Sequence, residues 1–120
     1  MSAESRWGRG RDEQLERCVS VARAMAHGEI DLIEGGHDLV SALRDAELAD
    51  DPDALTLLAF CADTEAFPRH WVRHLWAADQ LAENDARRER YIAGWRDRVV
   101  AACRAIAHML SAERDRDRDS

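Results

Sequence analysis

Lysine is absent from the 120 residues, although arginine occurs 17 times. Such a bias reflects GC-rich coding and carries no functional weight. Two prolines and six glycines are too few breakers to interrupt a predominantly helical chain. The three cysteines, Cys18, Cys61 and Cys103, form no Cys-x-x-Cys pair, which argues against a zinc knuckle and favours buried free thiols. No run approaches the ~18 apolar residues of a membrane span. The opening MSAESRWGRGRDEQ lacks the apolar stretch of a secretory signal. A glycine-rich phosphate loop is missing, and the net charge of −7 disfavours nucleic acid, whose phosphates need a basic patch. These absences lead to the expectation of one cytoplasmic domain that binds neither membrane nor nucleic acid.

Alanine occurs 21 times, hydrophobic residues make up 46% of the chain and charged ones 34%. That balance suits a folded, helix-rich domain. Periodicity points to an all-α, compact bundle of four to six helices spanning residues 12–113, with a flexible arm at 1–11 and a charged tail at 114–120. Leu15, Cys18, Ala22 and Met25 recur at helical spacing, and Gly28 suits the stop after them. A second helix spans about residues 30–48. Its Gly35 and Gly36 imply either a break or the close approach of another backbone. Asp51 and Pro52 suit an N-cap and a first helical position. The apolar run 54–62 reads as a central buried helix, although periodicity alone leaves a strand open. Pro68 opens a short helix, and Asn84 or Asp85 caps the last one. There Ile92, Trp95, Val99, Cys103, Ile106 and Leu110 form a core stripe, in which Trp95 is expected to be buried.

Charge is uneven. Residues 29–65 hold 11 acids against the single Arg44, a local −10. The plain reading is a solvated face. The functional reading is a surface matched to a cationic partner, where complementary potentials speed encounter and select the partner.

Few residues suggest chemistry. His70 and His74 share one helix face, with Asp63 and Glu65 just upstream, a spacing that suits a metal. The intervening HWVRH lacks the glutamate of a zinc protease. Ser41 and Ser111 sit in plain helical context, and no two carboxylates are isolated in an apolar setting as acid–base work requires. The segment DTEAFPRHWVRHLW crowds tryptophan and arginine, the residues that dominate protein–protein hot spots. Trp71, Leu75 and Trp76 equally suit core anchors, with Arg73 paired to Asp63 or Glu65.

GEIDLIEGGHDL, DDPDALTLLAF, DTEAFPRHWVRHLW and LAENDARRERYIAGWRDRVVAACRAI, in this order and spacing, resemble a group of small bacterial helical proteins. Some of these look like immunity proteins of polymorphic-toxin and contact-dependent inhibition systems. The resemblance covers about residues 15–107. Asp63, Glu65, Pro68, Arg73 and Trp76 match the group's central motif, while Phe67 replaces its leucine and Arg69–His70 a small-residue turn. It implies a non-enzymatic, cofactor-free protein that binds and neutralises a toxin domain, cationic as a nuclease would be. The residues expected to meet the partner are Asp38, Asp45, Glu47, Asp50, Asp51, Asp53, Asp63, Glu65, Arg69 and Arg73. The alternatives are a small metal-dependent enzyme or sensor built on His70 and His74, and a helical scaffold with no toxin partner.

Overall fold

The computed structural model describes residues 3–65, 67 and 73–119. Among them are four α-helices and no strand: α1 (Ala3–Ala26), α2 (Leu32–Asp45), α3 (Pro52–Asp63) and α4 (Ala78–Asp119), with a short 3₁₀ turn at Arg73–Leu75. The fold is all-α, as the composition implies.

Each boundary has a local cause. α1 ends in a Schellman motif: Glu29 N–H donates to the Ala24 carbonyl at 2.9 Å and Gly28 N–H to Met25 at 3.2 Å. Gly28 takes the left-handed φ of +73° that this motif needs. Asp31 then caps α2, its carboxylate accepting from Glu34 N–H at 2.9 Å. Asp51 caps α3, accepting from Asp53 N–H at 2.9 Å, with Pro52 as the first helical residue. At the C-cap of α3, buried Thr64 turns its hydroxyl back onto the Phe60 carbonyl at 2.9 Å.

Cross-helix contacts fix the directions. α1 meets α4 through Met25 and Cys103, whose sulfurs lie 3.8 Å apart, and through Arg11 and Glu113 at 3.5 Å. Asp31 at the start of α2 meets Arg88, and Phe60 in α3 meets Trp95 at 5.6 Å between ring centroids. Successive helices therefore alternate in direction, with α4 as the spine. Leu15, Cys18, Val19, Ala22 and Met25 of α1 face Val99, Cys103, Ile106 and Leu110 of α4, and Leu39, Leu43, Leu57 and Phe60 complete the core. Burial pushes the Cys103 thiol up to about 12 and also raises that of Cys18, as apolar surroundings disfavour a thiolate.

Several expectations change. α1 starts at Ala3, so residues 3–11 are helical rather than an arm; the helix formers among them outweigh two glycines. α4 runs unbroken past Asn84 and Asp85 and continues through residues 114–119, because no proline or glycine follows Gly94. The pair Gly35–Gly36 leaves α2 intact. A Cβ on Gly35 would lie 2.7 Å from Met25 Cγ and 2.8 Å from Ile30 Cδ1, so it is side chains that approach rather than backbone. Trp95 is half-buried, with the Arg98 guanidinium 3.9 Å above its ring. The start of the helix expected from Pro68 lies outside the described residues.

Candidate functional site

The structure divides the acids expected to meet a partner into two groups. Asp45, Glu47, Asp50, Asp51 and Asp53 gather at the connection between α2 and α3, at one end of the bundle. Asp63 and Glu65 lie at the other end of α3, about 18 Å away for a 12-residue helix. Asp38 is exposed on α2, two turns before Asp45. Arg73 opens the 3₁₀ turn, and Arg69 lies outside the described residues. Among this set, therefore, Asp63 and Glu65 do not share a patch with the acids of the α2–α3 connection.

At the first group, Asp45 faces Arg17 at 3.4 Å, both side chains being about half exposed, a pair worth little in stability. Arg11 donates to the Ala46 carbonyl. Asp51 is engaged as the cap of α3. The neighbouring Asp53 carboxyl is raised above its ordinary value by desolvation and then by the charge of Asp51. Glu47 stands apart. It occupies the left-handed position of a second Schellman motif, φ +60°, with Leu48 N–H on Leu43 at 2.8 Å and its own N–H on Arg44 at 3.0 Å. A residue with a Cβ costs roughly 1–2 kcal/mol in that conformation. Here a carboxylate sits where glycine would be relaxed, and local strain of this kind clusters at functional surfaces.

Between the two acidic groups lies the outer side of α3. Ala54, Leu57, Phe60 and Cys61 face the core. Leu55 (51% exposed), Leu58 (37% exposed), Ala59 and Ala62 face solvent at i, i+3, i+4 and i+7. The run expected as a central buried helix is thus buried on one side only. Sequence reasoning missed Leu55 and Leu58 as functional candidates because a helix that is apolar all round normally signals burial. The acids at both of its ends were the available signal.

A second feature sits at the far end. A cleft of about 640 Å³ opens between the end of α3 and the first turns of α4, lined by Asp63, Phe67, Trp76, Glu83, Asn84 and Tyr91 among others. The Phe67 and Tyr91 rings meet at 5.8 Å and 57°. The Tyr91 phenol is raised by desolvation and by its hydrogen bond to the Asp63 carboxylate. Asn84 is 8% exposed, and its Oδ1 has no hydrogen-bond partner. Leu75 and Trp76 are exposed, 73% and 38%, rather than core anchors.

Comparison with known proteins adds no relative: no family model matches the chain, and no match to a curated protein or a solved structure is found. His74 is exposed in the 3₁₀ turn, and His70 lies outside the described residues. Among the described residues no three histidines, cysteines or carboxylates come together as a metal site. Nor is any helix among them long and apolar enough to cross a membrane.

Proposed function

We propose that the chain is a non-enzymatic protein-binding module that captures and neutralises a cationic toxin domain, in the manner of an immunity protein. The observation that carries the reading is the outer face of α3. Leu55 and Leu58 stand in solvent between Asp50, Asp51 and Asp53 at one end and Asp63 and Glu65 at the other. An apolar centre with a charged rim is the anatomy of a protein interface. The local charge of −10 over residues 29–65 favours a basic partner and speeds the encounter. The strained Glu47 adds a carboxylate to the rim at an intramolecular cost. Neutralisation is steric and electrostatic, with no cofactor.

The test is co-expression with a toxin domain encoded beside this chain, together with rate measurements on the purified pair. Leu58→Asp places a charge at the centre of the face and abolishes protection without lowering helix content, since Leu58 is over one-third exposed. Asp50→Asn with Asp51→Asn lowers the association rate, and salt slows the wild-type rate as the Debye length shrinks from ~10 Å at 0.1 M to ~3 Å at 1 M. Full protection by Leu58→Asp together with a salt-independent rate overturns the proposal.

A further inference from the structure

The cleft beside the end of α3 carries chemistry that the α3 face does not use. Its walls are aromatic, from Phe67, Trp76 and Tyr91, and two carboxylates, Asp63 and Glu83, line it beside the amides of Gln80 and Asn84. Asn84 is more than nine-tenths buried, and its Oδ1 goes without a donor. A buried acceptor left unpaired costs roughly 1–3 kcal/mol, but this oxygen is sealed from solvent, so the acceptors a ligand can reach are the exposed carboxylates of Asp63 and Glu83. Arg87 also lines the cleft, which leaves a balance of one negative charge. Aromatic faces attract cations through their quadrupole. Guanidinium fits better than ammonium, because its planar fork can stack on a ring and donate in several directions at once.

We propose that this cleft is a receptor for the guanidinium group of a partner's arginine. The group stacks on Trp76, with its N–H groups directed to the exposed carboxylates of Asp63 and Glu83. The inference rests on the reading of the chain as a binder of basic proteins, and it names the side chain that such a partner inserts. Charge complementarity selects this occupant: an acidic peptide meets two carboxylates, and a neutral apolar one leaves them without a counter-charge.

The test is an NMR titration of the ¹⁵N-labelled full chain with N-acetyl-argininamide, with its neutral isostere N-acetyl-citrullinamide and with N-acetyl-lysinamide. Argininamide is expected to shift the Trp76 indole N–H and the Asn84 side-chain amide saturably. Citrullinamide leaves them unmoved, and lysinamide binds more weakly. Glu83→Gln weakens argininamide binding by roughly tenfold, as loss of a charged hydrogen-bond acceptor implies. Trp76→Ala, at an exposed position, removes the response while the other amide signals stay in place. Equal binding of citrullinamide or lysinamide, shifts confined to another part of the chain, or no saturable shift overturns the assignment. The two proposals fail separately. A chain that takes argininamide here but binds no toxin keeps the cleft and loses the function; one that neutralises toxin with an unresponsive cleft does the reverse.

Discussion

Gly35 and Gly36 are neighbours in the same helix, yet alanine at the two positions is expected to act with opposite sign. In a helix interior, glycine to alanine gains up to about 1 kcal/mol, from backbone entropy and propensity. Gly94 supplies the reference, since a Cβ there meets nothing within 4 Å. For 120 residues the unfolding entropy near Tm is about 250 cal/mol/K, so 1 kcal/mol moves Tm by about 4 °C. Gly94→Ala should therefore raise Tm by roughly 4 °C. At Gly36 the new methyl would lie 3.4 Å from Cys61 Sγ and 3.5 Å from the Phe60 ring. That is ordinary contact, and the gain is kept. At Gly35 the methyl would lie 2.7 Å from Met25 Cγ. Met25 is 1% exposed, and its sulfur already rests on Cys103. Cγ is a mid-chain atom, so relief requires moving the whole Met25 side chain off its sulfur contact, and overpacking of this kind costs about 1–3 kcal/mol. The balance for Gly35→Ala is a loss of about 1 kcal/mol and a Tm lowered by about 4 °C. Thermal unfolding followed by far-UV circular dichroism measures all three. If Gly35→Ala melts with Gly94→Ala, above wild type, the argument that this glycine exists for close packing is wrong.

Glu47→Gly should raise stability by about 0.5–1 kcal/mol, because it removes a Cβ from a left-handed position, while weakening any interface that uses the carboxylate; chemical denaturation and a binding assay on one preparation check both. Burial alone would raise the Asp31 carboxyl, but the Arg88 guanidinium and the Glu34 N–H outweigh it and hold it below its ordinary value. Its contribution to stability is then present above the unfolded value of about 3.9 and is lost as pH falls through the lower folded value. Asp31→Asn keeps a capping side chain, so its stability should decline less steeply than wild type below about pH 4; parallel acid unfolding curves would refute this. The buried thiols of Cys18, Cys61 and Cys103 should resist a disulfide reagent at mildly alkaline pH until the chain unfolds, then all react; rapid labelling of the native protein would contradict their placement.

How far the sequence revealed this molecule depends on which force set each feature. Asp51–Pro52 and Gly28 were legible because capping is local, decided within four or five residues. The stripe of α4 was legible from Val99 to Leu110 because burial on one side imposes a period. Its true start was not, because Asn84 and Asp85 look like caps when only their neighbours are visible. Asn84 is instead buried about two turns inside α4, at the cleft. The exposed side of α3 was hidden for a related reason. Leu55 and Leu58 are apolar like Leu57 and Phe60, and only the positions of α2 and α4 decide which pair faces solvent. The acids were visible as a block in sequence, but the length of α3 separates Asp63 and Glu65 from Asp50 and Asp51.

The antiparallel seating of α1 against the last helix also bears on how the chain is made. Leu15, Cys18, Val19, Ala22 and Met25 are almost wholly buried, with Val99, Cys103, Ile106 and Leu110 among the residues that complete their core. Those four residues leave the ribosome long after α1 does. At about 5–20 residues per second, the 42 residues of α4 take roughly 2–8 s to synthesise. Throughout that interval the apolar stripe of α1 lacks its main cover, and α2 and α3 can shelter only part of it. Completion of the fold waits on contacts about 80 residues apart in sequence, such as Met25 with Cys103, so assembly follows synthesis of α4 rather than accompanying it. A nascent chain that has emerged only as far as residue 99 therefore presents a sticky helix to chaperones, and one that has emerged past residue 110 does not.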